Sequence, residues 1–196
     1  MSKHYKVQGT VQFLILLLFT GICFISCNRE IDYDTWVEQE LSKEFREDEV
    51  LLGYRLGMET RDFYHHGVEL NQRDIVRGMS QIIYPFEELP YPATIHIVGN
   101  FHEDRLYELF CSIKYDDWNP GNSEYFTDRM IPELIDYFEE LYGSGFRKIE
   151  HPEHEREAWI KIDGNRRISI YPINEMYVNI EFFDLTVSDE ATRYVR

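Results

Sequence analysis

Polar and apolar positions along the chain fall into three regimes. Residues 11–27, VQFLILLLFTGICFISC, are almost continuously apolar. A middle stretch mixes helical and strand spacing. The last third alternates with period two: Ala158, Ile160 and Ile162 against Trp159 and Lys161; Ile168 and Ile170 against Ser169 and Tyr171; Met176, Val178, Ile180 and Phe182 against Tyr177, Asn179 and Glu181. Alternation of this kind predicts three antiparallel strands, each with one apolar face. Matching the isoleucine faces of the first two predicts a three-residue loop, Asp163-Gly164-Asn165, pairing Ile160 with Ile168, with Asn165 in the left-handed position.

The rest of the chain reads in order. Thr35 and Glu38 have capping-box spacing and predict a short helix to about Phe45, with Val37, Leu41 and Phe45 on its stripe. Val50 to Leu56 reads as a short strand. Thr60 caps a second helix to about Leu70 whose inner face carries Phe63, Gly67 and Leu70. Gln81 to Phe86 is a strand, stopped by Pro90 and Pro92. Ala93 to Phe101 and Arg105 to Tyr115 form a hairpin around His102-Glu103-Asp104. The second of these strands is apolar on both parities, which places it inside the sheet. Asp116 to Glu124 is a loop. Asp128 to Tyr142 is a helix with Ile131, Leu134, Phe138 and Leu141 inward, ended by Gly143 and Gly145. Arg147 to Glu155 is polar and reads as a loop.

The expected fold class is α+β: antiparallel sheet with helices packed on one face. The order helix, strands, helix, strands suggests two similar halves, 50–120 and 121–196, within one domain spanning 50–196. Residues 27–49 form a tether and short helix. This order of elements, with Leu56-Gly57-Met58 leading into a helix, is similar to the β-lactamase-inhibitor-protein type of fold and to small outer-membrane assembly lipoproteins.

The apolar stretch follows a basic start, MSKHYK, as in a secretory signal. It ends in Phe24-Ile25-Ser26-Cys27, which resembles the lipobox of bacterial lipoproteins. That resemblance implies cleavage after residue 26, lipid on Cys27 and an envelope location. Asn28 lacks the aspartate of inner-membrane retention in that family, which favours the outer membrane, on its periplasmic side or at the cell surface. An uncleaved anchor is the alternative, but Val11 to Ser26 falls short of the roughly 20 apolar residues of a span.

Charge narrows the partners. The chain carries −16, and the signal holds two lysines and no acid, so the mature chain carries −18. That field repels nucleic acid and attracts basic partners. The expected partners are the membrane, through the lipid, and a protein with a basic face.

Candidate chemistry is sparse. After Cys23 leaves with the signal and Cys27 is lipidated, Cys111 is the one remaining thiol, expected to be buried. His151-Pro152-Glu153-His154-Glu155 gathers metal-type donors in a predicted loop, and neither His102-Glu103 nor His154-Glu155 completes HExxH. His65, His66 and Glu69 share a helix. Asp116-Asp117-Trp118-Asn119-Pro120-Gly121 places Gly correctly for a calcium loop, but Trp118 and Thr127 occupy ligand positions, which excludes an EF-hand. No metal, cofactor or catalytic residue is assigned, and a metal in either loop stays open. Aromatic residues make up 15 % of the chain. If the last strands bury their isoleucines, Trp159, Lys161, Tyr171, Tyr177 and Asn179 stand on the opposite face as a candidate binding surface. The expected function is a lipid-anchored, non-catalytic binding or accessory module. Its alternatives are an inhibitor or immunity protein against a basic toxin or enzyme, and a hydrolase. A flat acidic aromatic face would favour a binder; a pocket with converging His and carboxylate groups would favour the enzyme.

Overall fold

A computed structural model describes residues 32–78 and 81–187. The lipobox lies outside the described residues. The compact unit begins at Tyr33, so the first helix belongs to it.

Seven antiparallel strands form one sheet. They are β1 (Ile82–Phe86), β2 (Ala93–His102), β3 (Arg105–Tyr115), β4 (Arg147–Glu150), β5 (Glu157–Asp163), β6 (Arg166–Pro172) and β7 (Val178–Asp184). The spatial order is β1-β2-β3-β7-β6-β5-β4. Two meanders, β1 to β3 and β4 to β7, therefore meet along a single seam between β3 and β7. The chain is α+β with a continuous sheet, and its two long helices, α2 (Thr60–Gln72) and α3 (Thr127–Tyr142), share one face.

That face holds the main core. Phe63 and Leu70 of α2, and Met130, Ile131, Leu134 and Phe138 of α3, pack on Ile95 and Ile97 of β2, Leu109, Cys111 and Ile113 of β3, Ile168 and Ile170 of β6, and Ile180 and Phe182 of β7. Burying an aromatic or branched side chain of this size contributes roughly 1.5–3 kcal/mol. Close packing explains Gly99: a Cβ there would stand 2.9 Å from the Phe63 ring. Helix α3 ends at Gly143, whose φ of +81° takes the chain out of the helix. Pro132 sits near the start of α3 and points outward.

The opposite face is covered in part by α1 (Tyr33–Leu41). Trp36 packs there against Ala158, Ile160, Ile162 and Tyr171, and the Arg147 guanidinium lies 4.3 Å over its ring. The helix starts two residues before Thr35 and stops at Leu41, so Phe45 is exposed and the expected stripe does not form.

The β5–β6 register departs from expectation. Asp163 pairs with Arg166, leaving a two-residue turn, Gly164-Asn165. Lys161 stands opposite Ile168, and Ile160 opposite Ser169. Gly164, with φ +56°, takes the left-handed position in place of Asn165. A Gly at the first turn position matches the sharp hairpins whose twist suits the strands. The apolar sets of β5 and β6 consequently lie on opposite faces. Ile168 and Ile170 enter the main core, while Ile160 and Ile162 enter the smaller one under α1. Both faces are buried here, so matching isoleucines does not select the register.

Two local elements also differ. Val50 to Leu56 is no strand: Leu51–Gly53 is a 3-10 turn in which Leu52 and Gly53 both have positive φ, closed by Val50 N–H donating to Tyr54 O. Arg147–Glu150 is the edge strand β4, held on one side only by β5.

Candidate functional site

Beyond α1, the sheet face turned away from the two long helices mixes polar and aromatic side chains. Arg167, Ser169 and Tyr171 of β6 share it with Asn179, Glu181 and Phe183 of β7, because residues two apart on a strand point the same way. On β3, Glu108 and Phe110 lie on the same side. Pairing of β2 with β3 shifts between Asn100 and Phe101, leaving Tyr107 as an extra residue. That bulge brings Tyr107 onto this face, edge-on to Phe183 with ring centroids 5.8 Å apart.

The β4–β5 connection, residues 151–156, folds back over this face and walls a half-open pocket of about 610 Å³. Tyr107, Phe110, Tyr171 and Phe183 supply aromatic lining; Asn100, Glu108, His154, Arg156, Asn179 and Glu181 supply polar groups. This volume is that of a small-molecule site. Arg156 fixes the connection at its exit, donating from Nη1 to Pro172 O at 3.2 Å.

Glu181 is the centre of the arrangement, with a side chain 2 % exposed. Its Oε1 accepts from the Tyr171 hydroxyl and lies 3.2 Å from His154 Nε2. Its Oε2 lies 3.3 Å from His151 Nε2 and 3.7 Å from Arg167 Nη2. Arg167 is itself buried, donating to Tyr33 Oη at 3.0 Å and to Glu153 Oε1 at 3.3 Å. Tyr33 therefore ties α1 to the site.

These contacts set the charges. Burial pushes the Glu181 carboxyl up, but contacts from His151, His154 and Tyr171 and the charge of Arg167 outweigh it and hold the group below the usual carboxylate range. Burial lowers His151 against the pull of Glu181, which favours a neutral ring. Burial, then Glu181, raises Tyr171, keeping its hydroxyl a donor. Glu108 is pushed up to about 6 by burial, opposed by the Asn100 hydrogen bond and reinforced by Glu181.

The expected surface of Trp159, Lys161, Tyr171, Tyr177 and Asn179 does not form. The two-residue turn sends Trp159 and Lys161 to the helix side, opposite Ile170 and Ile168. Trp159 packs against the main core, and Lys161 is buried with Nζ 2.5 Å from Asp163 Oδ1. Tyr171 and Asn179 do stand together on the pocket face. Tyr177 is half-buried in the β6–β7 connection and lies outside the pocket lining.

The His151–Glu155 segment gains a partner that its own sequence lacks. His151, His154 and Glu181 each place one donor atom within 4.8 Å of the others, the one such group of three among the described residues. No carboxylate group of this kind forms in the Asp116–Glu124 loop. His65 pairs with Glu69 at 3.4 Å on the exposed side of α2. Cys111 is free, fully buried and on the helix side, with its thiol pushed up by burial. The Glu181 site left one trace in sequence: Arg167, Ser169, Asn179 and Glu181 occupy one parity of two strands dense in apolar residues, and a charge buried there requires partners.

Compared with known protein families, curated proteins and solved structures, the chain has no match.

Proposed function

We propose that this protein is a lipid-anchored, non-catalytic binding module of the bacterial envelope, and that the pocket on the uncovered sheet face holds its ligand. The pocket carries the reading: it joins four aromatic side chains to converging amide, carboxylate and guanidinium groups at small-molecule size. The lipobox resemblance at Phe24 to Cys27 supports the anchor, and the net charge adds a field that steers cationic ligands or a basic partner toward the surface.

The test uses the full chain extracted from its native envelope in mild detergent. Native mass spectrometry should show a noncovalent adduct of small-molecule mass that disappears when Asn179→Trp fills the pocket. An adduct indifferent to that substitution, or none at all, overturns the pocket reading. Metabolic palmitate label should vanish in Cys27→Ala; label that persists overturns the anchor.

The hydrolase is the second reading, favoured by the convergence of His154, Glu108 and Glu181 on one pocket. Incubating the purified chain with the molecule it carries separates the two, since a binding module returns it unchanged and a hydrolase returns its fragments.

A further inference from the structure

Four side-chain atoms of this site are buried without a hydrogen bond of good geometry. Beside Arg167 Nε and Ser169 Oγ these are His151 Nε2 and Glu181 Oε2, which approach each other without good hydrogen-bond geometry although their side chains are 0 % and 2 % exposed. An unsatisfied buried polar atom costs about 1–3 kcal/mol. The two face each other at 3.3 Å, and His154 Nε2 approaches the same carboxylate at 3.2 Å. Ligand bonds to zinc of about 2.0–2.1 Å in tetrahedral geometry put neighbouring donor atoms at about 3.3 Å. Each imidazole faces its own carboxylate oxygen, His151 at Oε2 and His154 at Oε1, and one donor atom from each of the three residues lies within 4.8 Å of the others, so a small closure brings them onto one ion.

We propose that His151, His154 and Glu181 hold a single divalent zinc-type cation, with its remaining coordination position open to the pocket. Two imidazoles and one carboxylate suit zinc and its neighbours cobalt, nickel and copper. Calcium and magnesium prefer shells built from oxygen. Three protein ligands with an open fourth position are the arrangement of zinc sites that also take a ligand. The Tyr171 hydroxyl on Oε1 and Arg167 beyond Oε2 orient the carboxylate from outside. The inference stands on this geometry and does not require the pocket to hold an organic ligand.

Coordination rearranges one hydrogen bond. Glu153 N–H donates to His151 Nδ1 at 3.1 Å, so the neutral ring carries its proton on Nε2. For Nε2 to bind an ion, that proton must reside on Nδ1, and the Glu153 amide gives up its acceptor. The His151 and His154 rings stack with centroids 4.5 Å apart and planes 26° from parallel. Closing onto one ion draws in the His154 ring, which is half-buried and faces the pocket. The 152–155 turn therefore shifts with the ion.

The full chain in detergent, stripped with a chelator, is titrated with zinc against a chromogenic competitor and separately with cobalt. One equivalent of zinc should bind, cobalt should give the visible absorption of four- or five-coordinate nitrogen–oxygen sites, and the Glu153 amide resonance should move. His154→Ala should weaken binding by at least about 100-fold, beyond the usual effect of removing an outer-shell partner. Glu181→Gln, which keeps the side chain's shape, should do the same. His65→Ala, in the exposed His65–Glu69 pair, should leave binding unchanged. Failure to bind one equivalent, binding that survives His154→Ala, or binding lost in His65→Ala overturns the proposal.

Discussion

Gly164 lies directly beneath the carbonyl of Phe45: a Cβ on Gly164 would stand 2.1 Å from Phe45 O. The glycine also has φ +56°, which side chains other than Gly disfavour by about 1–2 kcal/mol. Gly164→Ala must therefore move the backbone of 45 or reshape the turn, and about 3 kcal/mol of lost stability is expected. Gly143→Ala provides the contrast, since its φ is +81° but no atom lies within 4 Å of the added Cβ. With ψ 160° that backbone is essentially confined to glycine, so about 2 kcal/mol is expected there from backbone strain alone. Urea unfolding measures both, and equal costs would mean that Phe45 does not press on the turn.

Glu108 offers a pH test. Its folded pKa of about 6 lies above the ordinary 4.5, so the folded state binds the proton more tightly. The stability this contributes is present below pH 4.5 and is lost as pH rises through 6. The difference amounts to about 2 kcal/mol. Glu108→Gln cannot ionise and keeps an acceptor for Asn100 Nδ2. It should raise the urea midpoint at about pH 8 and leave it nearly unchanged at about pH 4. A gain of the same size at both pH values would remove ionisation as the cause.

Arg167 is buried between carboxylates of Glu153 and Glu181. Arg167→Leu leaves the Glu181 charge buried without a guanidinium beside it, at an expected cost of about 3–5 kcal/mol. Adding Glu181→Gln removes the stranded charge, so the double variant should lose less than the sum of the singles. Simple additivity would show that the two side chains do not interact energetically.

Cys111 pairs across the sheet with Ile97 and Ile180 and is fully buried. An aromatic disulfide reagent should leave it unmodified in the folded chain and label it promptly in urea. Fast native labelling would place the thiol within reach of solvent.

Strands β1, β5, β6 and β7 and the two long helices are legible in the sequence because each carries a dominant periodicity, and the hairpin at residues 93–115 is legible from its polar turn between two apolar runs; β4, polar and read as a loop, is not. Neither is the register of β5 on β6. Ala158, Ile160 and Ile162 are buried beneath Trp36, while Trp159, half-buried, and Lys161, buried, lie on the helix side, so hydrophobicity no longer labels a face. The turn was decided instead by Gly164's freedom at positive φ. The site was hidden for a different reason. His151 and His154 come from a connection that sequence reads as solvated, and Glu181 comes from a strand 27 residues beyond His154. Only the pairing of β6 with β7 and the fold-back of 151–156 bring them together. Trp159 and Lys161 drew attention by residue type, while Glu108 and Tyr107, set on the pocket face by register and a bulge, gave no local signal.

The single β3–β7 seam also governs when the site exists at all. Each meander joins strands adjacent in sequence and can zip locally as the chain emerges. The seam pairs Glu108 to Ile113 with Val178 to Phe183, so it waits for the last strand to be synthesised. Tyr107, Glu108 and Phe110 sit on one side of that closure, and Tyr171, Asn179 and Glu181 on the other. A half-finished chain therefore has no pocket to offer, and a ligand spanning both sides acts as a clasp on the final step of assembly.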